Sequence, residues 1–146
     1  MRTANLLLVE DNEGDIILAK EALQHCPSIR YVNVVRDGKE AIDYLYQQGN
    51  HTDAELPDLI LLDINLPIKN GHEILQTIKN DKQRKHIPVI MLTTSSSDRD
   101  INTAYLNHAN CYIIKPDDIH AFMQAIHTVE NFWIHIAQLP RIGNMG

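Results

Sequence analysis

Short aliphatic runs alternate along the chain with stretches in which apolar residues recur every three or four positions. The runs predict five strands, at residues 5–9, 31–35, 59–62, 89–93 and 111–114. The stretches between them predict helices; Asn12 is placed to cap the first, and Ser97 or Asp98 the fourth. Strand and helix alternate five times over 146 residues. This predicts one α/β domain built on a doubly wound, five-stranded parallel sheet with right-handed crossovers.

The third run, at residues 59–62, is followed directly by an aspartate. A run of large aliphatic residues without alternation is typical of a strand that is buried on both faces of a parallel sheet. Asp63 ends this run, and Pro67 indicates that a loop follows, since proline does not continue a central strand. Ligands of open α/β sheets bind outside the carboxyl ends of the strands. Asp63 is therefore a candidate functional residue; on its own it is equally consistent with a loop cap.

Polar residues follow the other predicted strands where each run ends. They are Glu10, Asp11, Thr93 and Lys115. Because the carboxyl ends of neighbouring parallel strands share one edge of the sheet, we expect these side chains to converge on Asp63. Two carboxylates about 4 Å apart repel by on the order of 4 kcal/mol at an effective dielectric of about 20. The positive charge of Lys115 offsets part of this repulsion. Mg²⁺, held by the acids and the backbone carbonyl of Asn65, would add two more positive charges.

A pocket of this composition suits the transfer of a phosphoryl group to a carboxylate. Asp63 can attack in line while the metal ion and the lysine stabilise the charge on the transferred group. Once Asp63 is phosphorylated, Thr93 can bind one phosphoryl oxygen and Lys115 another. These bonds exist in one state and not in the other, which is the requirement for a switch.

Charge and composition argue against several further classes of function. The net charge of −6 argues against unaided binding to nucleic acid or to an anionic membrane. The apolar run at residues 6–9 is too short for a signal peptide or a membrane span, so we expect a soluble, cytoplasmic protein. Cys26 and Cys111 have no metal-binding or redox spacing, and we expect both to be buried, reduced thiols.

Four motifs in order resemble those of receiver domains, the response regulators of two-component signalling. They are Leu8-Val9-Glu10-Asp11-Asn12, Asp63-Ile64-Asn65-Leu66-Pro67 with Gly71, Leu92-Thr93-Thr94, and Tyr112-Ile113-Ile114-Lys115-Pro116. The resemblance covers about residues 4–130. It implies a flavodoxin-like fold with strand order 2-1-3-4-5 and an extended C-terminal helix. The whole chain, 1–146, is then a single receiver domain in which 131–146 form a C-terminal extension.

A narrower set of segments is similar to single-domain regulators that partner phytochrome histidine kinases. These segments are 10–15, 35–38, 63–67 and 131–140. The resemblance implies that the partner is a sensor histidine kinase of the phytochrome type. It also implies that the protein is not an enzyme but a phosphoacceptor that takes part in its own phosphorylation and dephosphorylation.

The family resemblance assigns roles to individual residues. Asp63 is the phosphoacceptor; Glu10, Asp11, Asp63 and the Asn65 carbonyl bind Mg²⁺; Thr93 and Lys115 read the phosphoryl state; Tyr112 is the switch aromatic whose rotamer follows Thr93. Asn65 and Ser95 lie where receivers tune autodephosphorylation. Kinase docking is expected on the first helix around Asp15, Ile16 and Ala19 and on the loop at 116–117. His108 departs from the family, which usually has glycine there, and leaves the left-handed end of the fourth helix in question.

The last predicted helix runs from near Asp117 toward Gln138. Its core-facing stripe is Ile119, Phe122, Met123, Ile126, Val129, Trp133 and Ile136. Beyond about residue 131 the segment is apolar around more than one face, which is typical of an interface. We therefore predict a two-fold homodimer on this helix, the fifth strand and the fourth helix. The alternative is a tail that folds back on its own domain.

Two other classes of protein use a similar architecture. Hydrolases of the haloacid dehalogenase type need a second aspartate two residues after the nucleophile, whereas this chain has the amide Asn65. Flavin-binding carriers need hydroxyls and amides after the first strand, where Glu10 and Asp11 would repel a phosphate. Since little chain follows the last helix, we expect no output domain, and output through protein contacts or through the draining of phosphate from a kinase.

Overall fold

The computed structural model describes residues 3–141. Strands and α-helices alternate in it as the sequence predicts. They are β1 Ala4–Val9, α1 Glu13–Leu23, β2 Ile29–Val35, α2 Gly38–Leu45, β3 Leu59–Leu62, α3 Gly71–Lys79, β4 Val89–Thr93, α4 Asp98–Leu106, β5 Cys111–Ile114 and α5 Ile119–Glu130. A short 3-10 helix, Gly49–His51, precedes β3, and a π-helix, Asn131–Ile136, follows α5. The strands form one parallel sheet in the order β2-β1-β3-β4-β5, so the predicted fold and strand order are confirmed.

The sheet is covered on both faces. Successive side chains of a strand point to opposite faces, so Leu61 packs under α1 and α5, while Leu62 packs under α2, α3 and α4. All four residues of β3 are at most 1% exposed, which explains why this strand is uniformly aliphatic instead of alternating. The central position of β3 carries the residue after it into the middle of one sheet edge.

Each α-helix begins at a side-chain cap on that same edge. The caps are Asn12, Asp37, Asn70, Ser97 and Asp118, each of which accepts a hydrogen bond from a backbone N–H in the first turn. At the other end of α4, His108 has φ 70° and its N–H donates to the carbonyl of Tyr105. The left-handed turn is thus made by histidine in place of glycine, at some steric cost.

The predicted extended C-terminal helix is confirmed, and its last part is a π-helix. The α-helical hydrogen bonds end at Glu130, and a π-helix continues to Ile136, with Ala137 N–H donating to the Phe132 carbonyl at 2.7 Å. This wider turn brings His135 beside Glu130, five residues earlier, with Nε2 and a carboxylate oxygen 3.1 Å apart. The helix therefore changes register where the predicted stripe assumed a continuous α-helix.

The predicted core-facing stripe is correct in its middle and wrong at its two ends. Phe122, Ile126 and Val129 are buried under the sheet, but Ile119 is 57% and Ile136 66% exposed. Ile119 is the first residue of α5, and Ile136 lies beyond the register change, so neither is turned toward the sheet.

The two cysteines are free thiols, as predicted, but each is only partly buried. Burial, and then the nearby carboxylate of Glu130, raise the pKa of Cys26 to about 11. Within residues 3–141 there is no helix with the length and apolar character needed to cross a membrane.

Candidate functional site

The candidate site lies at the carboxyl edge of the sheet, around the ends of β1 and β3. These strands are neighbours whose last residues, Val9 and Leu62, pair directly, so the residues that follow them emerge side by side. One carboxylate oxygen from each of Glu10, Asp11 and Asp63 lies within 4.8 Å of the others. Glu10 and Asp63 are buried, while Asp11 is exposed. The structure thus brings together the three acids that the sequence suggested as metal ligands.

The backbone fixes the position of Asp63 closely. Its Oδ1 accepts a hydrogen bond from Ile64 N–H at 2.7 Å, and Gly71 N–H donates to the Ile64 carbonyl at 2.8 Å. A Cβ on Gly71 would lie 2.1 Å from the Asp63 carbonyl oxygen. The start of α3 can therefore approach the acceptor residue only because position 71 has no side chain.

Lys115 reaches the acidic cluster from the loop after β5. Its Nζ lies 2.5 Å from Glu10, 2.9 Å from Asp15 and 3.3 Å from Asp63, and the residue is 8% exposed. Asp15 also belongs to the predicted docking face on α1, and its side chain is 26% exposed, so that role stays a prediction.

The acidic groups in this pocket outnumber the one lysine that they contact. The pKa of Glu10 is raised to about 7, because burial, together with the charge of Asp63, outweighs the opposing hydrogen bond from Lys115. Burial also disfavours the Lys115 ammonium, but its hydrogen bonds to Glu10 and Asp15 prevail and raise its pKa above the usual value. A single ammonium is thus shared among more carboxylates than it can neutralise, and the pocket favours further positive charge.

The donor set fits a hard divalent cation. The three clustered groups offer carboxylate oxygens, which suit cations such as Mg²⁺, Mn²⁺ or Ca²⁺ more than softer metals. Asn65, on the exposed loop after β3, has a carbonyl that accepts no backbone hydrogen bond from the described residues. That carbonyl is free for the ligand role predicted for it, which stays a prediction.

A second set of contacts links Thr93 to Tyr112 through Ser95. Thr93, at the end of β4, is fully buried, and Ser95 N–H donates to its Oγ1 at 3.4 Å. Tyr112 packs against the core under α2, α3 and α4, and its hydroxyl donates to the Ser95 carbonyl at 2.9 Å. The residues proposed to sense and to report the phosphoryl group are therefore connected through one residue of the β4–α4 loop.

Sequence reasoning missed two residues that extend this set. The Ser95 hydroxyl donates to Asp100 at 2.5 Å, and Asp100 also lies 3.0 Å from Nε2 of His72. The spacing of Ser95 and Asp100 around the predicted cap at Ser97 was a signal for the first contact. The contact with His72 joins two helices that are far apart in the chain, and nothing in the sequence pattern indicates it.

The loop between β3 and α3 is strained. Lys69 N–H donates to the Pro67 carbonyl at 2.8 Å across a three-residue turn whose central residue, Ile68, has φ 71° and is 72% exposed. A β-branched residue with positive φ is unfavourable and is usually found where the surrounding structure enforces it. Gly38 N–H also donates to Pro67, so the β2–α2 loop supports the turn beside the site.

The predicted kinase-docking residues on α1 need correction. Ile16 and Ala19 are 2% and 1% exposed because they face the sheet. Residues that form the core are not available to a partner protein. On the outer side of the same helix, Ile17 is 54% exposed.

This fold and this set of strand-end residues define the receiver class of two-component signalling proteins. The model of the response regulator receiver domain matches residues 6–127. The chain belongs to this family.

The chain is similar to response regulators for which structures have been solved. It is 38% identical over 135 residues to response regulator Rcp1 of Synechocystis sp., covering 92% of each protein. The crystal structure of the Mn²⁺-bound form of Rcp1 superposes with a TM-score of 0.89, covering 94% of this chain and 99% of that one. The phosphorylated cyanobacterial phytochrome response regulator RcpA is 46% identical, with a TM-score of 0.92 and coverage of 94% and 99%.

Proposed function

We propose that this protein is a phosphorylation-dependent switch in which Asp63 accepts a phosphoryl group from the phosphohistidine of a sensor histidine kinase. The observation that carries the proposal is the buried carboxylate of Asp63, placed within reach of both Lys115 and the acids Glu10 and Asp11. The phosphorylated form of RcpA supports it, because that protein shares this fold.

In the transfer step, a carboxylate oxygen of Asp63 forms a bond to phosphorus while the bond from phosphorus to the donor nitrogen breaks. The leaving imidazole takes up a proton, and the product is an acyl phosphate. Ile64 N–H fixes the plane of the carboxylate, and Lys115 binds a phosphoryl oxygen. Glu10, Asp11, Asp63 and the Asn65 carbonyl would hold Mg²⁺, which would supply positive charge next to the transferred group.

Thr93 and Tyr112 couple the phosphorylation of Asp63 to a change in the protein-binding surface. The Thr93 hydroxyl donates to a phosphoryl oxygen, and the β4–α4 loop adjusts through the Ser95 bond. Tyr112 is bonded to the same residue, so its position depends on the loop. The output is a change in protein contacts at the surface around α4 and β5.

The proposed kinase is of the phytochrome type, because RcpA is a phytochrome response regulator and aligns over nearly the whole chain. We place the docking surface on the outer face of α1 at Ile17 and on the loop at 116–117, beside the entrance to the site. Ile17 replaces Ile16 and Ala19 in this role, since it is exposed where they are buried.

We also propose a homodimer formed through α5 and the π-helix, which belong to the C-terminal part of the single domain 1–146. An apolar groove of about 430 Å³ lies between β5 and α5, lined by Ile113, Ala125 and Trp133, with Phe132 46% exposed at its rim. The segment also touches its own domain, through His135 to Ser28 at 3.3 Å and Arg141 to the Thr3 carbonyl at 3.3 Å. Of the predicted extension 131–146, residues 142–146 lie outside the described structure.

The first experiment is intact-protein mass spectrometry after incubation with Mg²⁺ and acetyl phosphate. We expect a gain of one phosphoryl group in the wild-type protein. The Asp63→Asn variant and a sample with EDTA should show none, because one lacks the nucleophile and the other lacks the metal ion. Circular dichroism of the Asp63→Asn variant controls for the fold.

Two results would contradict the proposal. A phosphoryl gain that persists in Asp63→Asn would place the acceptor elsewhere, and a gain that is insensitive to EDTA would remove the metal from the reaction. Sustained turnover of a phosphate monoester would instead favour a hydrolase, although Asn65 has no carboxylate for general acid catalysis.

A further inference from the structure

His72, Asp100 and Ser95 form a chain of hydrogen bonds that begins on α3 and ends in the β4–α4 loop. His72 Nε2 lies 3.0 Å from one oxygen of Asp100, and the other oxygen accepts from the Ser95 hydroxyl at 2.5 Å. The hydrogen bond from Ser95 has the largest effect on the pKa of Asp100 and, with the hydrogen bond from His72, lowers it below its usual value. Asp100 is thus an ionised acceptor shared by two donors on different elements.

The surroundings of His72 determine which nitrogen carries the proton. Its side chain is 18% exposed, and Nδ1 is buried without a hydrogen-bond partner among the described residues. An unpaired lone pair costs less in such a place than a buried N–H with no acceptor. Nε2 therefore carries the proton, and its N–H donates a hydrogen bond to Asp100.

Ser95 is held at three of its atoms. Its hydroxyl donates to Asp100, its carbonyl accepts from Tyr112, and its N–H donates to Thr93 Oγ1. The bond to Asp100 points the Ser95 hydroxyl toward α4, where its oxygen also accepts from Ser97 N–H at 3.4 Å, and among the described residues it makes no hydrogen bond with the Thr93 hydroxyl. Among residues 3–141 the hydroxyl proton of Thr93 has no acceptor, so it remains available for a new partner.

We propose that His72 is a positioning residue for phosphoryl binding. Acting through Asp100, it holds the Ser95 hydroxyl away from Thr93, so that Thr93 donates its proton to a phosphoryl oxygen on Asp63. The inference rests on the proposed phosphoacceptor function. Loss of the His72 bond frees Asp100 and then Ser95, whose hydroxyl, two residues from Thr93, competes for that proton and loosens the loop that Tyr112 binds.

The test compares His72→Phe, which keeps a ring but removes the donor, with His72→Gln, whose amide nitrogen can replace Nε2. Binding of beryllofluoride, an analogue of the phosphoryl group, is measured with Mg²⁺ present, together with the rate of phosphorylation by acetyl phosphate. We expect His72→Phe to weaken beryllofluoride binding and slow phosphorylation by about fivefold, the effect of one lost hydrogen bond. Mg²⁺ affinity measured alone should be unchanged, and His72→Gln should stay within about twofold of wild type.

A double-variant experiment separates positioning from a general structural effect. In a Ser95→Ala background, His72→Phe should change beryllofluoride binding little, because the residue through which it acts is gone. His25→Phe, at an exposed histidine beyond α1, is the matched control. His72→Leu replaces His72→Phe if thermal melting shows that the aromatic variant does not fold.

The outcomes distinguish the inference from the function on which it rests. Normal wild-type phosphorylation with unchanged His72→Phe binding would overturn the inference alone. So would an equal effect of His72→Phe with and without Ser95, or a His72→Gln variant as impaired as His72→Phe. A wild-type protein that gains no phosphoryl group at Asp63 would overturn the proposed function and, with it, the role of His72.

Discussion

Lys115 meets three carboxylates, from Glu10, Asp15 and Asp63, in a pocket that leaves almost none of its side chain in water. Such a group is costly to bury unless its partners are in place, because an unpaired ammonium loses its hydration without compensation. The carboxylates in turn exceed the charge of one lysine. The buried ammonium of Lys115 is stabilised by the carboxylates, and the carboxylates require more positive charge than Lys115 supplies. The site therefore favours the binding of a divalent cation together with an incoming phosphoryl group.

Gly71 shows how a residue without chemistry supports the acceptor. Its missing Cβ would lie 2.1 Å from the Asp63 carbonyl oxygen and 2.8 Å from Ile64 Cα. We expect Gly71→Ala to lower the free energy of unfolding by about 1–3 kcal/mol, as overpacking does. It should also slow phosphorylation by acetyl phosphate, because the clash displaces Asp63. Urea unfolding and intact-mass kinetics measure the two effects.

Gly14, in the first turn of α1, is the matched control. A Cβ there would meet the Asn12 side chain at 3.4 Å, an ordinary contact. Gly14→Ala should therefore leave stability unchanged or raise it by up to about 1 kcal/mol, since alanine favours helix more than glycine. Equal behaviour of the two variants would contradict the close-approach argument.

Among the secondary-structure elements, α1 packs against the sheet with one side and presents the other side to partner proteins. Ile16, Ala19, Ala22 and Leu23 face the sheet, while Ile17 is exposed on the opposite side. The helix begins at the Asn12 cap, directly after the acids of β1, so its start is fixed relative to the metal ligands. A partner that docks on its outer side is therefore delivered close to Asp63.

The docking proposal predicts that Ile17→Asp separates two kinds of donor. Transfer from a phosphorylated phytochrome-type kinase should slow by about tenfold, the result of losing roughly 1.4 kcal/mol of binding. Phosphorylation by acetyl phosphate should stay within about twofold, because a small donor makes no contact with α1. Both rates are measured by intact mass.

Leu106→Asp controls for a general effect of adding charge, because Leu106 is 79% exposed at the end of α4, away from α1. It should leave both rates unchanged. If Ile17→Asp slowed both donors equally, the docking surface would lie elsewhere on the molecule.

At the scale of the whole molecule, the two faces of the sheet are covered unequally. Three helices cover one face, and α1 and α5 cover the other, where the groove beside β5 and Trp133 is left open. The π-helix turns Phe132 outward at the rim of this groove. A second copy of the chain would cover the apolar surface that the domain does not cover itself.

The homodimer proposal predicts a solution mass of twice 16.7 kDa for the wild-type protein. Phe132→Asp should reduce it to the monomer mass, because a buried unpaired carboxylate is unfavourable at an interface. Light scattering after size-exclusion chromatography measures the mass with and without phosphorylation. Ile68→Asp, at an isoleucine that is 72% exposed on the far loop, should remain dimeric. A wild-type monomer in both states would contradict the proposal.

Local sequence pattern was sufficient to predict the five strands, the caps of α1 and α4, and the acidic edge of the sheet. A strand buried on both faces must be aliphatic throughout, a cap needs a short polar side chain, and parallel strands bring their carboxyl ends together. Asp63, Glu10 and Lys115 could therefore be placed at one edge from local pattern alone. The left-handed turn at His108 was left in question by the departure from glycine, and it is present in the structure.

Tertiary packing determines which residues meet across the fold and which side of each helix faces outward. The contacts of Asp15 with Lys115 and of His72 with Asp100 join elements distant in the chain, whose separation no local pattern encodes. The burial of Ile16 in place of Ile17 depends on the rotation of α1, and the exposure of Ile136 depends on a π-helix whose register differs from that of an α-helix. Periodicity predicts that a helix has an apolar face; packing against the sheet decides where that face ends.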